Sequence, residues 1–355
     1  MPFNLKELIE SVVNDGASDL HLSVGLPPIF RLKKQLVTKQ NFKPIDTNDI
    51  DYFLSQVLTP DQRKLFEINK ELFLSVNFGN NIRFRVTVFS SKGGYPSVAL
   101  RLIPFNVPQL ESLNLPAIIK NCTNLKQGLV LVTGPTSQGK STTIAGLVDK
   151  INQTRSEHIV TIEDPIEFMY QSNLSFIQQI EVSVDTVSWG SSLKSISRMD
   201  PNVIMVGEII DVESMLAVLN LAETGHLVFS TLHTNSASQT IDRVISMFNE
   251  QMHAQVRNQL ASVLEMVVSQ RLVEGIDGNL YPAAEILLNT SAVKSLIREG
   301  KVFGIDNVIA TSANIGMQTM DAALAYLVNN GKVGLNNAMR YSTSVDNLQH
   351  LITKK

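Results

Sequence analysis

Cysteine is almost missing from the 355-residue chain, in which Cys122 is the only one. A single thiol excludes a disulfide framework within one chain, and it excludes a four-cysteine zinc site. No apolar run approaches the roughly 18 to 20 residues that a membrane span needs. The N-terminal stretch "MPFNLKELIESVV" lacks the basic start and continuous apolar core of a signal peptide. These absences predict a cytoplasmic protein with no direct membrane span.

Charge of one sign is also scarce. Lys and Arg total 30 while Asp and Glu total 33, so the formal net charge is −3. A large basic surface is therefore not indicated, and we expect no nucleic-acid partner. Hydrophobic residues make up 44% of the chain and charged residues 18%, a balance that allows packed cores. A chain of this length favours two domains.

The first 98 residues have the pattern of a small α+β domain. An amphipathic helix opens it, and "SDLHLSVG" alternates like a half-buried strand. Further strand candidates are "IFRLKKQLV", "ELFLSVNF", "IRFRVTVFS" and "PSVALRLIP", and a helix capped by Thr47 is predicted around 46–58. The stretch 99–115, which is rich in proline, is predicted to be an ordered linker. A hairpin turn is predicted at Gly79, Asn80 and Asn81.

From residue 116 onward the pattern changes. Short apolar strands such as "GLVLVTG", "HIVTIED", "NVIMVGE" and "HLVFSTLH" alternate with longer helical stretches. That alternation is typical of a mostly parallel, doubly wound sheet. The C-terminal part is predicted to be mainly helical, for example over "MHAQVRNQLASVLEMVVSQRLV".

The stretch "GPTSQGKS" fits the pattern G-x-x-x-x-G-K-[ST]. A strand candidate precedes it and the helix candidate "STTIAGLVDKIN" follows, which is the setting in which such a loop binds phosphate. Backbone N–H groups can wrap a β-phosphate, Lys140 can reach the β- and γ-oxygens, and the Ser141 hydroxyl can ligate Mg²⁺. The predicted nucleotide-binding residues of this loop are Gly134, Pro135, Thr136, Ser137, Gln138, Gly139, Lys140, Ser141 and Thr142.

Three further stretches place acidic or histidine side chains beside strand candidates. Glu163 and Asp164 end "HIVTIED", where a carboxylate can hold or polarise an attacking water. Glu208 follows "VIMVG", where it can serve the Mg²⁺ shell. His226 and His233 lie on either side of "LVFSTL" and can sense a γ-phosphate. Taken singly, acidic residues after a strand are usually solvated loop residues, and lone histidines are usually structural. The three stretches together favour a binding site, because ligands of α/β sheets bind at the carboxyl ends of the strands.

These stretches resemble the boxes of the secretion ATPases of type II secretion and type IV pili, the GspE/PilB-like superfamily. Within it the similarity is to the type IV pilus retraction ATPases of the PilT/PilU type. It is carried by the phosphate loop "GPTSQGKST", the Asp box "TIEDPIEF", the stretch "RMDPNVIMVGE" and the His box "AETGHLVFSTLHT". "GASDLHLSVGLPP", "LIREGKV" and "GMQTMD" extend the resemblance over nearly the whole chain.

The resemblance implies an α/β fold in which a PAS-like domain over 1–98 precedes a RecA-like P-loop ATPase domain over 116–355. It implies a homo-hexamer that hydrolyses ATP with Mg²⁺. It also implies a cytoplasmic motor, peripheral at the inner membrane, which drives pilus retraction through an inner-membrane platform protein. A paralogous retraction ATPase is a further expected partner.

The resemblance also implies residue roles. Glu163 would be the catalytic glutamate, and Glu208 would support Mg²⁺ and water. His233, and less directly His226, would respond to the nucleotide. Arginines that match those completing the family's nucleotide site are Arg83, Arg85 and Arg198. Without the resemblance, the first two would be interpreted as a solvated strand face.

Several residues depart from the family pattern and support an alternative function. The loop has Ser137 and Gln138 in place of a glycine-rich pair, which removes freedom at positive φ. Ile180 and Ile210 stand where the family usually has arginine. The alternative is an accessory or regulatory nucleotide-binding subunit with weak ATPase activity. Assembly-type relatives usually carry a four-cysteine zinc motif. This chain lacks it, which favours a role in pilus retraction over one in pilus extension. A RecA-like nucleic-acid motor is a third alternative, against which the lack of a basic stripe argues.

Overall fold

The computed structural model describes residues 4–32, 35–79, 82–91, 93–104 and 107–353. The chain divides into two compact units. The first comprises 1–106 with 167–169, and the second comprises 107–166 with 170–355. In the described ranges, no helix is long and apolar enough to cross a membrane.

The first unit is an antiparallel sheet with helices packed on one face. The helices are α1 (Leu5–Asn14), α2 (Thr47–Val57) and α3 (Pro60–Asn69). The strands are β1 (Asp19–Ser23), β2 (Ile29–Leu32), β3 (Gln35–Thr38), β4 (Glu71–Asn77), β5 (Arg83–Ser91) and β6 (Tyr95–Ile103), in the order β3-β2-β1-β6-β5-β4. Phe84 and Val86 of β5 are buried in the core with the helices. Because side chains alternate along a strand, Arg83 and Arg85 lie on the opposite face.

Details of this unit differ from the predictions. The cap of α2 is Asp46 and not Thr47, because its carboxylate accepts the Asp49 N–H at 2.9 Å in a reciprocal capping box. The stretch "IFRLKKQLV" forms the paired strands β2 and β3 and not one strand, with Leu32 opposite Gln35. β6 continues to Ile103, within the stretch predicted as linker. Helix α3 was not predicted. Asn80 and Asn81 of the predicted hairpin turn lie outside the described residues.

The second unit is built on a seven-stranded sheet. Its strands are β7 (Gly128–Thr133), β8 (His158–Glu163), β9 (Phe176–Glu181), β10 (Val203–Val206), β11 (Leu227–Leu232), β12 (Leu264–Glu274) and β13 (Leu280–Leu288). The order is β13-β12-β7-β11-β10-β8-β9, and every neighbouring pair is parallel except β12 with β13. The predicted α/β class with a mostly parallel sheet is confirmed.

Helices cover both faces of this sheet. They are α4 (Lys140–Thr154), α5 (Trp189–Ile196), α6 (Val212–Glu223), α7 (Ala237–Ser246), α8 (His253–Val263), α9 (Ser291–Glu299), α10 (Ile305–Thr311), α11 (Met320–Asn329), α12 (Leu335–Met339) and α13 (Val345–Thr353). One buried cluster joins α4 to the sheet, and another joins helices α5 to α10 to it. Cys122 is buried in the cluster of α4, and burial raises the pKa of its thiol to about 12.

The helix predicted over "MHAQVRNQLASVLEMVVSQRLV" is wrong in its second half. Helix α8 ends at Val263, and β12 begins at the next residue. Most of β12 up to Gln270 is buried, between β7 on one side and β13 on the other. A strand covered on both faces is continuously apolar, so its sequence shows no period that separates it from a buried helix. Strand β13 was missed for the same reason, whereas α9 to α13 follow the predicted helical pattern.

Candidate functional site

The phosphate loop joins β7 to α4 at the carboxyl edge of the sheet. Gly134 has a φ of +142° and Gly139 a φ of +80°. A Cβ on Gly134 would stand 2.4 Å from the carbonyl oxygen of Gln270, and one on Gly139 would stand 2.8 Å from Gln270 Nε2. Both positions therefore require glycine, because of their backbone conformation and because β12 passes so close.

The donors of this loop fit a phosphate group. Helix α4 begins at Lys140 with Gly139 as its N-cap residue and without a side-chain cap. Residues 136–139 lie between β7 and α4, so their backbone N–H groups are not used by the sheet or by the helix. A helix N-terminus carries partial positive charge and unsatisfied donors, which together attract an anion. The predicted loop thus has the conformation and the donors for phosphate binding.

Lys140 places its charge inside the loop. The side chain is buried, and its ammonium donates to the carbonyl oxygens of Gly134 at 2.8 Å and Pro135 at 2.9 Å. These two carbonyl oxygens therefore hold the ammonium inside the loop, at the place where the oxygens of a bound phosphate would lie.

Ser137 adopts the conformation that its position demands. Its φ is +62°, in the left-handed region, so a glycine would fit this place more easily. The loop geometry is retained with serine, at a cost of about 1 kcal/mol.

Replacing Ser137 by glycine is expected to raise the free energy of unfolding by about 0.5–1 kcal/mol, because the strain exceeds the entropy that glycine gains in the unfolded chain. Urea denaturation would measure the change. The matched control is Ser312→Gly, at a residue with a φ of −112°, which is expected to lower stability. If Ser137→Gly lost as much stability as the control, the conclusion that the backbone of Ser137 is strained would be wrong.

Glu163 ends β8 and is buried, with 4% of its surface exposed. Its Oε1 accepts the Thr161 hydroxyl at 2.7 Å and the Gln179 side-chain amide at 3.2 Å. β8 pairs with β10, so the carboxylate lies next to the segment that carries Glu208. These donors orient a carboxylate at the carboxyl edge of the sheet, where it can position a water.

Glu208 and His233 come together although they belong to different boxes. Glu208 follows β10 after Gly207, and His233 follows β11 directly. Since β10 and β11 pair in parallel, the two side chains meet, with Glu208 Oε2 3.4 Å from His233 Nε2. The pair places a carboxylate and an imidazole in contact at the same edge as the phosphate loop.

The oxygen donors fit a Mg²⁺ that arrives with a nucleotide. Ser141 supplies a hydroxyl at the start of α4, and Glu208 supplies a carboxylate at the end of β10. Only β11 separates β7 from β10, so the two segments are about 10 Å apart. Mg²⁺ keeps several waters and uses few protein ligands besides phosphates. The described residues contain no group of three or more His, Cys, Asp or Glu side chains that could hold a metal by themselves.

His226 does not lie at this edge. Its carbonyl accepts the Gly128 N–H at 3.0 Å and its Nδ1 is 2.8 Å from the carbonyl oxygen of Leu221, so it sits where β7 and β11 begin. The six residues of β11 separate it from the phosphate loop by about 20 Å. Within one chain, His226 is therefore remote from this loop, and its response to nucleotide stays a prediction. Because the two box histidines flank one strand, they must lie at its opposite ends.

Arg198, one of the three predicted arginines, is also not at this edge. Arg198 is exposed between α5 and β10. Two residues later, the carbonyl oxygen of Asp200 is 3.2 Å from His158 Nδ1, at the amino end of β8. Arg198 therefore lies near the amino edge of the sheet. Arg83 and Arg85 belong to the first unit.

The polar end of β12 was missed by the sequence analysis. Gln270 contacts the phosphate loop, and Arg271 Nη2 donates to Asn235 Oδ1 at 3.0 Å. A cavity of about 650 Å³ lies beside them, and its lining includes Pro135 and Glu285. Burial raises the pKa of the Glu285 carboxyl, which accepts the N–H of Ala237. The available signal was the Gln-Arg pair that interrupts the apolar run "VVSQRLV".

Comparisons with known proteins cover almost the whole chain. Residues 3–280 match the family described as type II/IV secretion system protein. The chain is 42% identical over 335 residues to the type IV pilus retraction ATPase PilT of Pseudomonas aeruginosa, covering 94% of this chain and 97% of that protein. It is 41% identical over 309 residues to a twitching motility protein of Neisseria gonorrhoeae, covering 87% of this chain and 82% of that protein.

A solved structure has the same fold. The crystal structure of the pilus retraction motor PilT with bound ADP superposes with a TM-score of 0.92 at 38% sequence identity. The match covers 98% of this chain and 99% of that chain.

Proposed function

Because the chain belongs to the type II/IV secretion system protein family, we propose that it is an ATP-hydrolysing motor that powers type IV pilus retraction. One observation carries this proposal: the likeness to the retraction ATPase PilT extends over 94% of the chain. The phosphate loop, Glu163 and the Glu208–His233 pair supply the parts that such an activity needs.

The proposal includes an assembly and a place of action. Six copies of the chain form a ring on the cytoplasmic side of the inner membrane and act on the pilus through a platform protein in that membrane. A paralogous retraction ATPase is a second partner. The chain has one cysteine, Cys122, so it cannot form the four-cysteine zinc site of assembly-type relatives. This supports a role in pilus retraction over one in pilus extension.

In the proposed reaction a water oxygen bonds to the γ-phosphorus of ATP while the bond from that phosphorus to the β–γ bridging oxygen breaks, so that ADP and phosphate are released. The chain acts by positioning and by charge. Backbone N–H groups of 136–139 bind the β-phosphate, and Lys140 turns from its two carbonyl partners to the β- and γ-oxygens. Glu163 orients the water and accepts its proton, while His233 contacts the γ-phosphate end of the site beside Glu208. Mg²⁺, when bound, offsets negative charge on the phosphates, and Ser141 and Glu208 are the residues that would hold it.

Purified protein should therefore hydrolyse ATP in a steady-state assay, and a strain without it should keep its surface pili but lose retraction. Pili that retract normally in that strain would contradict the proposed motor.

The accessory-subunit alternative makes a different prediction for the same assay, namely ATP binding with very slow turnover. It was based on Ser137, Gln138, Ile180 and Ile210. Ser137 retains the left-handed conformation, and the Gln138 side chain accepts the Leu272 N–H at 2.7 Å. Ile180 packs against the core, and Ile210 is half exposed. None of these contacts removes a donor from the phosphate loop.

We further propose that Arg83 and Arg85 contact the nucleotide in the assembled ring. They lie on the face of β5 that the core of the first unit does not use. Arginine suits this role because its planar fork binds phosphate in bidentate fashion.

ATPase activity per chain is therefore expected to rise steeply as monomers assemble, and Arg85→Ala should lower it at least about tenfold, since supplied arginines contribute about 10³–10⁵ in such sites. Activity would be measured against protein concentration, with oligomeric state followed by light scattering. Arg63→Ala is the control, because this exposed arginine of the same unit pairs with Asp51 at 2.8 Å. Activity per chain that stays flat from monomer to hexamer would contradict a shared site.

A further inference from the structure

The polar end of β12 lies inside the phosphate loop. Gln270 is 3% exposed, and burying an amide is costly unless its donors and its acceptor are satisfied. Its Nε2 donates to the carbonyl oxygen of Gln138 at 2.8 Å, and its Oε1 accepts the Thr143 hydroxyl at 2.8 Å. One side chain thus bridges the end of the loop and the start of α4.

The backbone around Gln270 contacts the same loop. The Gln270 carbonyl oxygen is the atom that excludes a Cβ at Gly134, and its Nε2 is the atom that excludes a Cβ at Gly139. The Leu272 N–H donates to Gln138 Oε1 at 2.7 Å. The loop is therefore folded around Gln270 from its first glycine to its last. We call Gln270, Leu272, Gln138 and Thr143 the β12 clamp.

The next residue of the strand faces another part of the site. Arg271 donates to Asn235 Oδ1, and Asn235 lies two residues after His233. At the end of β12, Gln270 thus contacts the loop that would hold the phosphates. Its neighbour Arg271 contacts the segment after β11 that would sense them.

We propose that Gln270 is a positioning residue for nucleotide binding, which fixes the phosphate loop through the β12 clamp. This inference depends on the proposed ATPase function. Gln270 sets the conformation in which the loop presents its N–H groups and Lys140, and it does not itself touch the nucleotide.

The role makes a specific kinetic prediction. Without the Gln270 amide, the Gln138 carbonyl and the Thr143 hydroxyl lose their partner. Nucleotide binding must then also order the loop, which weakens the affinity for nucleotide. The bound loop is needed equally in the ground state and in the transition state, so Kd and KM rise while kcat changes little. A glutamine that only stabilised the fold would lower the melting temperature and leave the affinity for nucleotide unchanged.

The test compares Gln270→Ala with Gln259→Ala. Gln259 is also buried, and its amide donates to Asn220 Oδ1 at 2.9 Å and to Glu223 Oε2 at 2.7 Å, both on α6. Loss of two hydrogen bonds should lower the melting temperature of both variants. Only Gln270→Ala is expected to weaken ADP binding, by about 10-fold or more in titration calorimetry, and to raise KM with kcat within about threefold. An affinity change no larger than that of Gln259→Ala would overturn the proposal.

A milder pair of variants applies the same test if Gln270→Ala does not fold. Thr143→Val removes the hydroxyl with little change of shape, whereas Thr143→Ser keeps it. The valine variant should bind ADP severalfold more weakly than the serine variant, and equal affinities would overturn the role of the clamp. Wild-type protein that binds no ADP would instead overturn the proposed function. Wild-type binding together with unaffected Gln270 and Thr143 variants would overturn this inference alone.

Discussion

Glu163→Gln is expected to lower kcat for ATP hydrolysis by about 10²–10⁴-fold, the range that a positioned general base contributes. The change keeps the shape of a side chain that accepts the Thr161 hydroxyl and the Gln179 amide. It removes the negative charge that would orient the attacking water and accept its proton. That charge acts mainly in the transition state, so the affinity for ATP should change little. Steady-state turnover and equilibrium ATP binding, measured on the same preparation, separate the two effects.

A control for this variant lies at the other end of the same strand. Glu157 precedes β8 and pairs with Arg155 at 2.7 Å, at the amino edge of the sheet. Glu157→Gln removes an equal charge there and should leave kcat within about twofold, as surface charge changes usually do. A normal kcat in Glu163→Gln would move the catalytic role to another residue.

Lys140→Ala is expected to lower ATP turnover by at least about 100-fold, the usual effect of removing one charged or oriented donor from a transition state. The ammonium is held by two carbonyl oxygens of the loop, and nothing else in the loop supplies a full positive charge to the phosphates. The affinity of the variant for ATP should also fall, because in the proposed site the ammonium would contact phosphate both before and during the reaction. The fold should survive, since backbone atoms and β12 hold the loop.

The matched control is Lys150→Ala on the same helix. Lys150 is partly exposed and pairs with Glu111 at 3.0 Å, away from the loop. It should keep wild-type turnover. Circular dichroism on both variants checks that the helix is intact. Near-normal turnover in Lys140→Ala would mean that this loop does not hold the phosphates of a hydrolysed nucleotide.

Much of the candidate site follows from one rule, that parallel strands place their carboxyl ends along one edge. The rule requires only that the strands be recognised. β8, β10 and β11 are short, largely apolar runs, and a charged or polar residue ends each run or follows it within two residues. It predicts a common edge for Glu163, Glu208 and His233, and the second and third are in contact. The same rule, applied to both ends of β11, places His226 at the opposite edge.

The missed parts have a common physical cause. β12 is covered on both faces, so burial removes the alternation by which strands are recognised. Gln270 was missed because its partners are a backbone carbonyl and a hydroxyl far away in sequence. No local spacing encodes such contacts, and only the folded sheet brings these residues together. The strain at Ser137 is different, because the loop motif itself indicates where glycine would be easier.

The buried thiol of Cys122 makes the chain a convenient host for chemical labels. With a pKa of about 12 and no exposure to solvent, this thiol stays protonated and unreactive toward maleimides while the protein is folded. A cysteine introduced at Ile210, which is 50% exposed and two residues beyond Glu208, would then be the only thiol to react. A fluorophore at that position would report nucleotide-linked changes at the sheet edge without any need to remove a native cysteine.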